Sequence, residues 1–260
     1  MTNPLRFEDR AVLVTGGSRG IGRGIAEAFL DAGAEVTVCG RREPDEVPNA
    51  AGKQAIFIQA DVRDAEQVEK MVEEARERMG RLDVLVNNAG GAPYADAATA
   101  SPRFSEKVIQ LNLVAALHCA QQANRIMQAQ RSGGSIINIA SVSGIRPSPG
   151  TAAYGAAKAG LINLTGTLAI EWAPKVRVNA ISAGLIRTAE AHIHYGDKAG
   201  IGRVAETVPL RRLGTPADVA GACLYLASTL ASYVSGANLV LHGGGETPAF
   251  LSAATVNREE

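Results

Sequence analysis

At 260 residues the chain is long enough to bury a large core while staying within the size of one domain. Hydrophobic residues make up 46% of it and charged residues 20%, and 26 basic side chains balance 26 acidic ones, which leaves no electrostatic case for a nucleic-acid or anionic-membrane partner. No apolar run approaches the roughly 18 residues of a membrane span, and the polar start MTNPLRFEDR lacks targeting character; the three dispersed cysteines, Cys39, Cys119 and Cys223, suit buried free thiols in a reducing cytoplasm.

In chain order, apolar β-rich runs alternate with helical patterns. AVLVTG (11–16) is a short apolar run closed by glycine and predicts a buried strand; IGRGIAEAFLDAG then repeats apolar residues at Ile21, Ile25, Ala28 and Phe29 and stops at Gly33, a helix. EVTVCG and AIFIQAD predict the second and third strands. Between them, RREPDEVPNAAGKQ is short and carries Pro44 and Pro48, so a loop or at most one turn is expected. AEQVEKMVEEARERMG is an amphipathic helix ended by Gly80, and LDVLVNNAG a fourth strand. A long helix over about 103–130, a fifth strand GSIINIAS, a helix over about 152–172 and a strand KVRVNAIS follow. The segment 187–208 is irregular, with His192, His194 and Tyr195 clustered, and is a candidate substrate lid. PADVAGACLYLAS predicts a helix with Pro216 near its start, and ANLVLHGG the last strand. About seven strands alternating with helices, and no linker or repeat, predict one α/β domain built of βαβ units on a parallel sheet.

The strand–turn–helix VLVTGGSRGIG carries Gly16, Gly20 and Gly22 in a G-x-x-x-G-x-G spacing. Glycines there allow a tight turn and close approach, and the helix N-terminus offers free N–H groups to a pyrophosphate. An NAD site usually places a carboxylate at the end of the second strand. Here that strand ends in Arg41 and Arg42, which can instead pair with a 2′-phosphate, and Arg19 lies on the same side. NADP(H) is therefore expected over NAD(H), unless Arg41 and Arg42 are merely solvated loop charges.

Taken together, TGGSRGIG (15–22), NNAG (87–90), Asn112 in QLNLVAA, Ser141 in INIASVSG and YGAAK (154–158) resemble, in order and spacing, the short-chain dehydrogenase/reductase family. The resemblance spans Phe7 to Gly244 and implies a single-domain α/β oxidoreductase with a Rossmann-type doubly wound parallel sheet and helices on both faces. The branch it is most similar to is the 3-oxoacyl carrier-protein reductases, through TGGSRGIG, AAYGAAKAGLINLT and PLRRLGTPADVA. It implies that Tyr154 is the acid/base, Lys158 its activator, Ser141 the ligand of the substrate carbonyl, and Asn112 the residue completing a proton relay through water. The loop Gly16, Ser18, Arg19, Gly20, Ile21 and Gly22 would hold the phosphates and Asp61 and Val62 the adenine. Asn88, Ala89 and Gly90 would line the cofactor, and Gly184, Ile186 and Thr188 would run past the nicotinamide. A homotetramer or homodimer using the helices at about 103–130 and 152–172 is a further implication.

The residues agree with that chemistry. A free tyrosine, with a pKa of about 10, is a poor base near neutrality, and a lysine at i+4 on the same helical face supplies a cation that favours the tyrosinate. Ser141 can polarise the substrate oxygen, although Ser143 is a nearby rival. His192 and His194 have no evident third ligand, so no metal is expected. Two departures from the family pattern stand near the nicotinamide: Ala183-Gly184 in place of Pro-Gly, and Leu241-His242-Gly243-Gly244 in place of Val-Asp-Gly-Gly. The expected substrate is a small carbonyl or alcohol, either a 3-oxoacyl thioester or another ketone such as a steroid or sugar. A protein that senses NADP(H) without turnover is the alternative from another class.

Overall fold

The apolar runs become the strands of one parallel sheet. The structure, a computed structural model, describes residues 3–254, except for the side chains of Ile193, His194 and Ser252; the His194 part of the metal question therefore lies outside the described residues. In chain order, β1 (Ala11–Thr15), α1 (Gly20–Asp31) and β2 (Glu35–Gly40) lead to a two-residue antiparallel ribbon, β3 (Asn49–Ala50) with β4 (Lys53–Gln54). β5 (Ile56–Gln59), α2 (Ala65–Met79) and β6 (Val84–Asn87) follow. The next helical stretch runs through α3 (Pro102–Ile109), a π turn (Gln110–Val114) and α4 (Ala115–Ala129). Then come β7 (Gly134–Ser141), α5 (Ala152–Glu171), β8 (Val176–Ala183), α6 (Ala191–Tyr195), α7 (Lys198–Thr207), α8 (Pro216–Ala227), β9 (Asn238–Leu241) and α9 (Ala249–Ala253).

Seven strands pair in the order β5-β2-β1-β6-β7-β8-β9, every pairing parallel. This is the Rossmann-type doubly wound arrangement, and the order reverses between β1 and β6. In such sheets ligands bind outside the strands' carboxyl ends at the reversal. Both faces are covered, so β1 buries all five residues. Val12 and Val14 face a core layer with Ile25, Phe29, Val219 and Cys223 of α1 and α8. Ala11 and Leu13 face the other layer, with Met71 and Val72 of α2 and Cys119 and Met127 of α4. Cys39, Cys119 and Cys223 are free and buried, and burial pushes the Cys39 thiol up to about 11. Among the described residues no helix is long and apolar enough to cross a membrane.

Three stretches depart from the sequence-based expectation. The loop expected between β2 and β5 contains the β3–β4 ribbon, turned by Ala51 and Gly52 with φ of 51° and 75°. The irregular 187–208 segment is largely helical: Gly196, with φ of 77°, separates α6 from α7, and Asp197 caps α7 by accepting from Gly200 N–H at 2.8 Å. The single helix expected over 103–130 is broken by the π turn, and Asn112 sits in it.

Candidate active site

β1, β6 and β7 all end at one crevice. Thr15 Oγ1, at the end of β1, accepts the N–H groups of Asn88 and Ala89, each at 3.0 Å. Asn88 Nδ2 returns bonds to the carbonyls of Thr15 (2.9 Å) and Gly16 (3.1 Å), stitching the loop after β6 to the glycine turn. Gly16 holds φ of 61°, where an L side chain is strained. A Cβ on Gly22 would lie 2.3 Å from the Gly16 carbonyl oxygen and 2.4 Å from Asn88 Nδ2, so only glycine lets α1 start this close to the turn. α1 opens without a side-chain cap at Arg19 and without an acidic residue in its first turn. Its leading N–H groups are thus available to an anion, and the bare helix end with its Gly22 contact fits the pyrophosphate of a dinucleotide.

Two arginines stand at the expected adenine side, ahead of Glu43, Asp45 and Glu46. Arg41 and Arg42 follow β2 and are exposed, and neither joins an ion pair among the described residues. Ser18 reaches the same place, its Oγ 3.5 Å from where a Cβ on Gly40 would stand. Asp61 is held by Arg63, with Arg63 Nη2 at 2.5 Å from Oδ2; that bond, with smaller help from Arg41, keeps its carboxyl below the usual range. Val62 beside it is buried. Arg19, by contrast, turns to the segment after β8, where its Nη1 is 2.6 Å from Glu190 Oε1.

The remaining candidates converge on α5. Lys158 Nζ donates to the Ile139 carbonyl at 2.8 Å and lies 5.6 Å from the centre of the Tyr154 ring. It is 4% exposed, and no carboxylate among the described residues pairs with it. Burial alone pushes its amine down to about 8. Burial pushes the Tyr154 phenol up, and a hydrogen bond with Ser141 pulls it back in part. Ser141, the last residue of β7, also accepts the Ser143 N–H at 3.1 Å, whereas the Ser143 hydroxyl is directed to Ser148 Oγ at 3.0 Å. Of the two serines, Ser141 is the one whose hydroxyl meets the Tyr154 phenol.

Asn112 is 1% exposed and its amide is fully taken up. Its Oδ1 accepts from Gly91 N–H at 2.8 Å, and its Nδ2 donates to the carbonyls of Gly91 and Val108, each at 2.9 Å. Gly90 ties the group together: a Cβ there would be 2.7 Å from Asn112 Oδ1 and 3.2 Å from Lys158 Nζ. The small residues of α5 have a similar cause, since a Cβ on Gly155 would stand 2.8 Å from the Ser143 carbonyl.

On the fourth side, Ile186 bridges to Gly214, and Thr188 packs beside Gly20, its Cγ2 3.7 Å from a Cβ built there. Gly184 lies so close to His242 that a Cβ would meet the histidine Cβ at 2.7 Å, and Ala183 pairs with Leu241 across β8 and β9, so the two stretches that depart from the family pattern lie side by side. An apolar pocket of about 70 Å³ lies beside Tyr154, between Pro93, Ala95, Phe104 and Gly150. A larger cleft of about 580 Å³ runs between α1 and the α6–α7 segment, past Arg23, Thr188, His192 and Ile201, and touches none of Ser141, Tyr154, Lys158 or Asn112. Sequence reasoning missed Thr15, Gly91 and Glu190; Tyr195, singled out in the 187–208 segment, has its phenol raised by burial, then by the charges of Glu246 and Tyr154. Glu246 is itself paired with Arg146. Only Thr15 carried a signal, as a hydroxyl at the strand end directly before the glycines.

Residues 16–246 match the family described as enoyl-(acyl carrier protein) reductase. A probable 2,4-dienoyl-CoA reductase of Bacillus subtilis is 37% identical, with 92% of this chain and 97% of the relative covered. A 3alpha-hydroxysteroid dehydrogenase of Mediterraneibacter gnavus is 34% identical, over 94% of this chain and 99% of that one. The ligand-free structure of the aldohexose dehydrogenase of Thermoplasma acidophilum superposes with a TM-score of 0.86 at 32% identity, over 98% of each chain.

Proposed function

Since the chain belongs to the short-chain dehydrogenase/reductase family, oxidoreductases that act on CH–OH groups with a nicotinamide cofactor, we propose that it interconverts a ketone and a secondary alcohol with NADP(H), using Ser141, Tyr154, Lys158 and Asn112. The observation that carries this reading is the buried Lys158 ammonium, which has no carboxylate partner among the described residues and stands beside the half-buried Tyr154 ring. Burying an unpaired charge is costly; a tyrosine that must give and take a proton explains why the cost is tolerated.

A dinucleotide held in the crevice would supply the hydride in reduction and accept it in oxidation. Ser141 Oγ–H donates to the substrate oxygen and polarises it. In reduction the Tyr154 hydroxyl, kept protonated by its burial, gives its proton to the developing alkoxide; in oxidation the tyrosinate takes it back. Lys158, with its amine near 8, is still roughly nine-tenths protonated at pH 7 and stabilises that tyrosinate. Asn112 completes the relay by which protons return to the tyrosine. Its side chain is occupied by Gly91 and Val108, so the main chain of the π turn, which takes a carbonyl out of the α ladder, is the part left to hold water.

For the cofactor, Gly16, Ser18, Gly20, Ile21 and Gly22 carry the pyrophosphate, and Arg19, Arg41 and Arg42 the 2′-phosphate. Asp61 and Val62 flank the adenine, while Asn88, Ala89, Gly90, Gly184, Ile186 and Thr188 line the nicotinamide half. The whole chain acts as one dinucleotide-binding unit, assembled as a homotetramer or homodimer in a reducing cytoplasm. Among substrates a 3-oxoacyl thioester comes first, followed by steroid and sugar carbonyls.

The test is Tyr154→Phe. Turnover on a panel of ketones should fall by about 10³-fold while NADPH binding, followed by fluorescence, stays unchanged. Turnover that survives the substitution would overturn the mechanism, and a wild type that binds NADPH but reduces nothing would favour a sensing role.

A further inference from the structure

Glu190 is the residue before α6 and occupies its N-cap position, yet its carboxylate makes no capping bond. It crosses instead to the glycine turn, 171 positions earlier in the chain, and takes Arg19 Nη1 at 2.6 Å. The contact is reinforced one residue further on, where Thr188 packs against Gly20, and Ala191, buried at the start of α6, bonds back to the Thr188 carbonyl at 3.1 Å. The root of the lid therefore rests on the phosphate turn, and the ion pair is the charged part of that contact. Of the three arginines assigned above to a 2′-phosphate, Arg19 is the one already engaged, since Arg41 and Arg42 join no ion pair among the described residues.

We propose that Glu190 is a specificity-determining residue, which lowers the protein's preference for a 2′-phosphorylated dinucleotide by holding Arg19 on the lid side. The proposal rests on the NADP(H) reading above. A guanidinium cannot give its planar fork in full to a carboxylate and to a phosphate at once, so the 2′-phosphate gains Arg19 only at the expense of the ion pair. A cofactor without the phosphate leaves the pair intact. Both side chains are largely exposed, 75% and 52%, so the competition is modest and acts through Arg19 alone.

The test is the binding of NADP⁺ and NAD⁺, measured calorimetrically, for the wild type, Glu190→Gln, Arg19→Ala and the double variant. Glu190→Gln should tighten NADP⁺ about two- to five-fold and leave NAD⁺ unchanged, and the gain should vanish when Arg19 is alanine. If the wild type prefers NADP⁺ and Glu190→Gln changes nothing, the proposal falls while the NADP(H) reading stands. A gain shared equally by NAD⁺, or one that persists without Arg19, marks a general charge effect and also overturns it. If neither protein discriminates between the two cofactors, the proposal and the reading fall together. A gain in discrimination seen only in the variant supports the proposal and means that the pair masks the preference in the wild type.

Discussion

Replacing Lys158 with methionine separates the stability of the fold from the needs of catalysis. The amine is buried and pushed from an ordinary 10.5 down to about 8. The folded chain thus releases this proton at lower pH than the unfolded chain does. Between the two values the unfolded state binds more protons, so wild-type stability rises with pH through that window. Below pH 8 the full penalty of the charged amine is present, about 3 kcal/mol at pH 7, and it shrinks to about 1 kcal/mol by pH 9.5. Lys158→Met removes the penalty but leaves the Ile139 carbonyl without its donor, a loss of about 1–3 kcal/mol that does not depend on pH. The variant should therefore equal or exceed the wild type in stability at pH 7. Relative to wild type it should lose about 2 kcal/mol between pH 7 and pH 9.5, and its turnover should drop by about 10²-fold or more. Urea unfolding followed by circular dichroism at both pH values measures this. A stability difference that stays constant across the range would refute the reasoning, because it would mean that the amine is not carrying a burial penalty.

Other outcomes follow from the cofactor side. Arg41→Ala with Arg42→Ala should weaken NADPH binding by about ten-fold or more, the worth of one or two charge-assisted contacts, and spare NADH; equal losses would sink the assignment. Gly22→Ala puts a methyl 2.3 Å from the Gly16 carbonyl, an overpacking that costs about 1–3 kcal/mol. Thermal unfolding should shift down by roughly 2–4 °C for each kcal/mol, and both cofactors should bind more weakly, because the turn itself moves. An unchanged melting temperature and unchanged affinities would show that the turn absorbs the methyl.

What the sequence disclosed and what it hid divide along physical lines. β1, β2 and β7 were legible because strands buried on both faces read as continuous apolar runs. α2 announced itself by period and by its glycine stop. β3 and β4, at two residues each, are too short for any period to register. α7 sets Ile201, Val204 and Ala205 at helical spacing but buries none of them fully, and Gly200 and Gly202 within it read as loop residues. A π turn is a change in hydrogen-bond spacing and leaves no mark in residue type. At the site, Tyr154, Lys158 and Ser141 could be picked out by kind and spacing. Glu190 could not, because its partner is 171 positions away in the chain and nothing local distinguishes it from a solvated acid.

The partners of the site's polar side chains have a bearing on how such a chain can change over time. Lys158 bonds to the main chain of Ile139, Asn112 to the main chains of Gly91 and Val108, and Asn88 to those of Thr15 and Gly16. Every residue type brings the same carbonyl to these places, so no single replacement at Ile139 or Val108 can delete the bond, provided the backbone keeps its path. Drift at those two partner positions is limited by packing alone, whereas the side chains that reach for them have no substitute.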